Sequence, residues 1–215
     1  MSNDTSPPSA GSADGGLVAV LERSRSLGHL GAGAVRSHID HAEAMAALIE
    51  RLQSTPRCAV DLGTGGGVPG LVLARRFSDA VWFFVEGSVS RAEFLRSAVD
   101  ELALDNVTVL GERAELAARR VELRGRVDLV TARAFGAPAV VAECAAPLLR
   151  MGGVVVVSEP PHDSAERWPD AGLAALGLVA EAAPGVPRFQ ALRRVGECSD
   201  RFPRRVGVPG KRPLF

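Results

Sequence analysis

The residues with the clearest capacity for chemistry lie in one glycine-rich loop. Residues 61–70 read Asp-Leu-Gly-Thr-Gly-Gly-Gly-Val-Pro-Gly and directly follow the apolar run Cys58–Val60. Glycine lets a backbone approach a ligand closely and adopt positive φ angles. A strand that ends in a glycine turn before a helix is typical of a ligand site at the carboxyl edge of an open α/β sheet. The loop therefore predicts a binding site for a nucleotide-like cofactor.

Two patterns fit this loop. Gly65, Gly67 and Gly70 satisfy GxGxxG, the dinucleotide pattern, which is a weak signal by itself. Asp61 followed by Gly63, Gly65 and Gly67 satisfies (D/E)xGxGxG, the usual pattern of S-adenosylmethionine-dependent methyltransferases. The second pattern also accounts for the acid, which suits a ligand with an ammonium and a sulfonium better than it suits a pyrophosphate. We therefore favour S-adenosylmethionine over a nicotinamide cofactor.

A second acid follows the next apolar run. Glu86 comes directly after Val81–Val85. A carboxylate at this place can accept hydrogen bonds from both ribose hydroxyls of a nucleoside. NAD and S-adenosylmethionine share that contact, so Glu86 supports a nucleoside cofactor without choosing between the two.

Apolar runs alternate with helical segments around these residues. The expected strands are Cys58–Leu62, Val81–Val85, Val107–Leu110, Val127–Thr131 and Val154–Val157, with helices at 69–77, 90–104, 114–122 and 137–149. This alternation predicts parallel βαβ units with both sheet faces covered. Residues 176–181 and 188–194, with Gly185 and Pro187 between them, predict an antiparallel pair at the edge. The result is a Rossmann-like α/β fold with a mainly parallel, seven-stranded sheet.

The chain divides into three predicted segments. Residues 1–16 are polar and rich in Ser, Pro, Gly and Asp, which predicts a disordered leader without a secretory signal. Residues 17–54 hold two expected helices, at 17–27 and 35–52, and residues 55–215 hold the cofactor-binding domain. No apolar stretch approaches the roughly 20 residues that span a bilayer. Three widely spaced cysteines without a CxxC motif favour a reducing compartment, so we expect a cytoplasmic protein.

Several segments together resemble the RsmG (GidB) family of 16S rRNA guanine-N7 methyltransferases. They are Val60–Ala74 (DxGxGxGxPGxxLA), 90–95 (KRxxFL), 113–115 (R(A/V)E), 131–134 (SRA(F/V)), 147–153 (PLLxxGG), 38–45 (HxxDS) and 201–214 (YPRxxGxPxKxPL). The resemblance covers about residues 35–214, and the order and spacing of the motifs make it specific. It implies a class I methyltransferase fold, S-adenosylmethionine as methyl donor and small-subunit ribosomal RNA as substrate.

The family's cofactor contacts can be carried to this chain by position. The resemblance places them at Gly63, Val68, Ala114 with Glu115, and Arg133. The backbone of Ala114 would pair with the adenine edge, and Glu115 would accept from the adenine amino group. Arg133 would hold the cofactor carboxylate or face the RNA.

One departure from the family lies after the fifth strand. A Lys-Gly-like sequence is usual there, whereas this chain has Ser158-Glu159-Pro160-Pro161. The glutamate reverses a charge near the expected RNA site without touching the cofactor residues. Glu-Pro-Pro also resembles the (N/D)PP(Y/F) motif of amino-methylating enzymes, but that motif follows strand four and ends in an aromatic residue.

The implied reaction needs little acid–base chemistry. Guanine N7 carries an available lone pair, so no catalytic base, and hence no catalytic residue, is assigned. Alignment and electrostatics should supply most of the rate. The four histidines form no HExxH motif, and no metal is expected; His38 and His41 are interpreted as capping or packing residues.

Charge is balanced overall but uneven along the chain. Residues 188–215 contain eight basic and two acidic residues, although the whole chain has 25 of each sign. A basic segment on an acidic body favours contact with an anion. We therefore expect Arg204, Arg205, Lys211 and Arg212 to contact RNA phosphates, in a protein that acts as a monomer.

Three alternatives remain open from the sequence. The chain could methylate another RNA or a small molecule. It could be a nicotinamide-dependent oxidoreductase that uses the GxGxxG pattern. It could also be a nucleotide-sensing or RNA-binding module without activity.

Overall fold

A computed structural model describes residues 10–52, 55–160, 167–183 and 188–215. These ranges contain eight helices and seven strands. The helices are α1 (Ala10–Ser26), α2 (Val35–Leu52), α3 (Gly70–Arg76), α4 (Val89–Glu101), α5 (Ala114–Ala117), α6 (Pro138–Ala145), α7 (Asp170–Ala174) and α8 (Val208–Lys211). The strands are β1 (Cys58–Leu62), β2 (Val81–Val85), β3 (Val107–Leu110), β4 (Val127–Ala132), β5 (Leu149–Ser158), β6 (Leu178–Glu181) and β7 (Phe189–Arg194).

The seven strands form one sheet in the order β3-β2-β1-β4-β5-β7-β6. The pairs β1–β2, β1–β4, β2–β3 and β4–β5 are parallel, whereas β7 is antiparallel to both β5 and β6. This confirms the predicted α/β fold with a mainly parallel, seven-stranded sheet and an antiparallel pair at its edge. The strand order reverses at β1 and β4, and ligands of open α/β sheets bind outside the carboxyl ends of the strands at such a point.

Strand β5 starts earlier than the sequence indicated. The expected run was Val154–Val157, but the strand begins at Leu149 and pairs there with Val127. The register then shifts between Val127 and Leu129, so that Val154 pairs with Leu129. This irregularity in the pairing accommodates Gly152 and Gly153 within the strand.

The N-terminal helices pack on the same core as the sheet. In α2, buried apolar residues recur at helical spacing, and they join a cluster with α1, α3 and one face of the sheet. The predicted helix at 35–52 is confirmed. Helix α1 begins at Ala10, inside the segment 1–16 that was expected to be a disordered leader, and residues 1–9 lie outside the described ranges.

The edge of the sheet also agrees with the prediction. The expected strands at 176–181 and 188–194 appear as β6 and β7, slightly shortened. Gly185 and Pro187, which were expected to separate them, lie outside the described residues. Among the helices of the described ranges, none is both long and apolar enough to cross a membrane.

Candidate functional site

Two adjoining cavities lie along the carboxyl ends of β1, β2 and β4. The first, of about 390 Å³, includes Glu86, Arg113 and Ala114 in its lining. The second, of about 270 Å³, includes Gly65, Val68 and Arg133. The two share the lining residues Gly63, Arg91 and Ala134. We call the pair the cofactor crevice, because it lies where the order of strands reverses and the glycine loop ends β1.

Six of the nine predicted cofactor residues line this crevice. They are Gly63, Gly65, Val68, Glu86, Ala114 and Arg133. The other three, Asp61, Gly67 and Glu115, do not line it: the side chains of Asp61 and Glu115 contact Thr131 and Gly207, and Gly67 lies against Leu71. The site therefore contains the predicted loop, but two residues of the loop motif, Asp61 and Gly67, do not line the crevice.

The conformation of the loop requires glycine at two positions in particular. Gly63 has a φ of 66°, and a Cβ there would lie 2.5 Å from Cδ2 of Phe135. A Cβ on Gly66 would lie 2.6 Å from the Ser24 hydroxyl and 2.7 Å from the carbonyl oxygen of His29. The Ser24 hydroxyl also donates a hydrogen bond to the Gly66 carbonyl at 2.8 Å. The end of α1 is thus packed directly on the loop.

Asp61 lies beneath the loop and is fully buried. Its Oδ1 accepts a hydrogen bond from the Thr131 hydroxyl at 2.7 Å, and its Oδ2 has no partner with hydrogen-bond geometry among the described residues. Burial raises the pKa of Asp61 to about 7, because its effect outweighs that of the Thr131 hydrogen bond, which lowers the pKa. The prediction that Asp61 contacts the cofactor itself is not supported by this placement; Asp61 instead links β1 to β4 under the glycines.

Glu86 is buried at the end of β2 and joins the loop to the start of α4. Its Oε2 accepts a hydrogen bond from the Gly65 N–H at 2.9 Å, and its Oε1 accepts one from the Ser88 N–H at 2.8 Å. Two backbone donors therefore fix the carboxylate in the wall of the first cavity. A carboxylate offers about four lone-pair positions, so Glu86 can still accept from ribose hydroxyls.

Arg133 follows β4 and has one unsatisfied donor. Its Nη2 contacts His38 Nδ1 at 2.6 Å, while its buried Nη1 has no hydrogen-bond partner among the described residues. Burial lowers the pKa of the Arg133 guanidinium, and the charge of Asp61 raises it. A buried cationic donor without a partner, beside the glycine loop, fits the carboxylate of an amino-acid ligand.

The two histidines of α2 support this arrangement. His38 Nε2 lies 3.2 Å from the Gly31 carbonyl, so the imidazole connects Arg133 to the segment before α2. His41 Nε2 lies 2.7 Å from the Ser158 hydroxyl. Burial lowers the pKa of His41 to about 4, with a further contribution from the charge of Arg133, so His41 is neutral at pH 7. The sequence analysis interpreted His38 and His41 as capping or packing residues and did not predict the contact between His38 and Arg133.

Glu115 points away from the crevice and toward the C-terminal segment. It is 4% exposed, and its Oε1 accepts a hydrogen bond from the Gly207 N–H at 2.9 Å. Burial would raise the pKa of Glu115, but the Gly207 hydrogen bond and the nearby Arg113 lower it overall. The expected contact of the Glu115 carboxylate with adenine is therefore not supported by its side-chain position, whereas the Ala114 backbone does line the first cavity.

Arg204 forms an ion pair inside the protein. Its Nε and Nη2 donate to the two carboxylate oxygens of Glu143 at 2.8 and 2.6 Å, and its backbone N–H donates to the same group. Glu143 lies on α6 and is completely buried. The structure thus assigns Arg204 to anchoring the C-terminal segment, and the prediction of a phosphate contact is not supported for it. Arg205, Lys211 and Arg212 are exposed, as a phosphate contact requires.

Residues that the sequence did not single out complete the crevice. His29 lines the second cavity, Phe135 lines the first, and Arg91 lines both. They come from three separate segments of the chain, and although Arg91 lies in the motif at 90–95, the sequence analysis assigned none of the three a role. Within the described ranges, no three His, Cys, Asp or Glu side chains are grouped so that they could hold a metal ion.

Comparisons with known proteins point in one direction. The model of the family described as rRNA small subunit methyltransferase G (GidB) matches residues 34–167. The chain is 36% identical over 181 residues to the protein of that name from Rubrobacter xylanophilus. The matched residues make up 78% of this chain and 68% of the relative. It is 35% identical over 186 residues to the Thermotoga petrophila protein, covering 83% of this chain and 79% of the relative.

Solved structures show the same fold at lower sequence identity. A putative O-methyltransferase from Klebsiella pneumoniae superposes with a TM-score of 0.58 at 18% identity, over 88% of this chain and 92% of that one. Cofactor-bound Rv0187 gives a TM-score of 0.56 at 21% identity, over 86% and 91%. The antibiotic-resistance methyltransferase Kmr gives 0.52 at 19% identity, over 71% and 93%.

Proposed function

The chain belongs to the family of rRNA small subunit methyltransferase G, and from this membership we propose that it transfers a methyl group from S-adenosylmethionine to guanine N7 of 16S ribosomal RNA. The observation that carries the proposal is the cofactor crevice, in which the Glu86 carboxylate and the unpartnered Nη1 of Arg133 lie on either side of the glycine loop. Family membership also favours the methyltransferase interpretation of the loop over the dinucleotide one.

The crevice fits the parts of S-adenosylmethionine. We propose that Glu86 accepts from the ribose hydroxyls, that the Ala114 backbone faces the adenine, and that Arg133 Nη1 holds the carboxylate. Gly63, Gly65 and Val68 would form the floor beneath the amino-acid portion. When bound, S-adenosylmethionine supplies an electrophilic methyl group on a sulfonium.

The residues of the site orient the reactants and do not need to move a proton. Guanine N7 attacks with a lone pair that is already free. His38 and His41 are both engaged, by Arg133 and Ser158 respectively, so neither is placed as a general base. The site contributes alignment and a fixed pattern of charge, and such preorganisation supplies a large part of the rate in many enzymes.

The C-terminal segment is the proposed contact with the RNA backbone. Arg205, Lys211 and Arg212 are exposed and lie in the basic segment, so we propose that they contact phosphates. Arg204 is excluded from this set because Glu143 neutralises it. We further propose that the protein acts as a monomer in the cytoplasm.

The test is to map methylated nucleosides in 16S rRNA from cells that lack the gene, by mass spectrometry. One 7-methylguanosine should disappear and return when the gene is restored. The Arg133→Ala variant should fold normally and restore the modification at a lower rate. Loss of a different modified nucleoside, or of none, would contradict the proposal.

A further inference from the structure

A third cavity lies beside the cofactor crevice at the carboxyl ends of β4 and β5. Its volume is about 350 Å³. It shares Arg133 and Ala134 with the second cavity of the crevice and Phe135 with the first. Its remaining lining belongs to no part of the crevice, so it is a separate compartment that adjoins the place proposed for the methyl donor.

Two aromatic side chains form part of its lining. Phe135 follows β4, and Trp168 precedes α7. Trp168 is 8% exposed, and its Nε1–H donates a hydrogen bond to Glu159 Oε1 at 3.1 Å, which fixes the indole. Aromatic side chains that line a cavity can stack on nucleobases that are unstacked from an RNA chain. Phe135 is the more exposed of the two, because Trp168 packs in the hydrophobic core.

Glu159 is the buried acid of this cavity. Its side chain is 6% exposed, and its Oε2 lies 3.0 Å from Nε of Arg167. The family that the chain resembles usually has a Lys-Gly-like sequence here, so Glu159 reverses a charge. The structure shows how the reversed charge is tolerated, because Arg167 balances it locally and Trp168 donates to the other oxygen.

We propose that this cavity receives the target base and that Glu159 selects guanine by accepting from its N1–H and N2–H groups. The inference rests on the proposed methyl transfer to RNA. An ionised carboxylate only accepts hydrogen bonds. Guanine is the standard base that presents two adjacent donors on its Watson–Crick edge, whereas adenine presents its N1 acceptor there. One carboxylate can accept from both donors of guanine. If adenine took the same position, its N1 acceptor would face a carboxylate oxygen, and no hydrogen bond could form between them.

The same orientation directs N7 toward the methyl donor. In guanine, N7 lies on the side of the ring system away from N2. When N1 and N2 face Glu159, N7 therefore faces away from it. Arg133 and Ala134 form the boundary with the crevice because they line both compartments. Glu159 would thus recognise the base and position the attacking nitrogen at the same time.

A binding experiment tests this directly. Trp168 is one of two tryptophans, and the other, Trp82, is fully buried, so fluorescence quenching by a nucleotide reports on Trp168. We would saturate the protein with S-adenosylhomocysteine and titrate it with GMP, IMP and AMP. IMP lacks the 2-amino group, so we expect it to bind about tenfold more weakly than GMP. AMP should bind more weakly still, and Trp168→Phe should remove the signal.

The Glu159→Gln variant gives the second measurement. Its amide offers one acceptor and one donor, so GMP affinity should fall about tenfold and the preference over IMP should shrink below threefold. Its catalytic efficiency on 16S rRNA from the deletion strain should fall by about the same factor, while its affinity for S-adenosylmethionine stays within twofold. Glu197→Gln is the matched control, because Glu197 is exposed and far along the chain from the cavity. It should leave every value unchanged.

Three results would overturn the inference: equal binding of GMP and AMP, equal binding of GMP and IMP, or an unchanged preference in Glu159→Gln. The nucleotide series with wild-type protein remains decisive even if the variant fails to fold. Failure of S-adenosylhomocysteine to bind would instead contradict the proposed function. A protein that methylates rRNA without a preference for GMP would refute only the role of Glu159.

Discussion

The surroundings of the glycine loop and the C-terminal segment both carry charged residues that the sequence analysis assigned to binding, and in each region the structure separates residues that are accessible from residues that are held inside the protein. Around the loop, Glu86 and Arg133 stand next to the crevice because each follows directly after a strand that points there. In the C-terminal segment, two neighbouring arginines lie in different environments: Arg204 binds the buried Glu143, and Arg205 is exposed. Position at a strand end therefore predicted which side chains lie at the crevice, whereas local charge density did not predict which arginines are exposed.

The largest expected effect separates these neighbouring arginines. Arg204→Met leaves the fully buried Glu143 without its cation, and loss of one partner of a buried ion pair costs about 3–5 kcal/mol. We expect the free energy of unfolding, measured by chemical denaturation, to fall by that amount. Arg205→Met is the matched control and should change it by less than about 0.5 kcal/mol. Equal losses in both variants would contradict the distinction.

The next effect tests the loop. Glu86→Ala removes the acceptor for the N–H groups of Gly65 and Ser88 as well as the proposed ribose contact. Hydrogen bonds to a charged group contribute about 1.5–3 kcal/mol each, so S-adenosylmethionine should bind about 100-fold more weakly by calorimetry. Glu93 is an exposed acid on α4, so the Glu93→Ala variant is the control and should bind S-adenosylmethionine as the wild-type protein does. If Glu86→Ala also bound normally, the proposed place of the ribose would be wrong.

A third prediction concerns pH and the acid beneath the loop. The pKa of Asp61 is raised to about 7 from an ordinary 3.8, so the folded state binds a proton more tightly than the unfolded state does. This contribution to stability is complete below about pH 4 and is lost as the pH rises through 7. Asp61→Asn removes the titration. Relative to the variant, wild-type protein should lose on the order of 2 kcal/mol of unfolding free energy between pH 5 and pH 8. Parallel pH profiles would show that Asp61 does not titrate in this range.

The smallest effect concerns the proposed phosphate contacts. Arg205→Met should weaken binding of 16S rRNA about threefold at moderate salt and reduce the dependence of log affinity on log salt by roughly one unit. Its kcat at saturating RNA should stay unchanged, because the residue is placed outside the crevice. An unchanged salt dependence would remove Arg205 from the interface, while leaving the loop predictions intact.

Several predictions from the sequence were accurate because they depended on local order. The runs at Cys58–Leu62, Val81–Val85 and Val107–Leu110 appear as strands with the same bounds. The apolar continuity and the length of each run suffice to indicate a parallel strand, although β3 lies at the edge of the sheet and has no fully buried residue. The start of β5 was wrong because Gly152 and Gly153 resemble a turn in the sequence, whereas irregular pairing with β4 accommodates them within the strand.

The site shows the same division between local and distant information. Gly63, Gly65 and Glu86 follow strand ends, so the sequence could place them at one edge of the sheet. It could not show that Asp61 is turned under the loop, because that depends on Thr131 of another strand. Nor could it show that Glu115 faces Gly207, which lies far along the chain.

The sequence by itself determined the alternation of strands and helices, the glycine loop and the family, because each is encoded in short segments whose order is preserved. Only the tertiary structure decided which charged side chains are available. A carboxylate or guanidinium that is buried must find a partner, and that partner is chosen by which distant segments pack together. This is why Arg133 keeps an unpartnered donor beside the crevice, while Arg204 is occupied by Glu143 and Glu115 accepts from the Gly207 N–H.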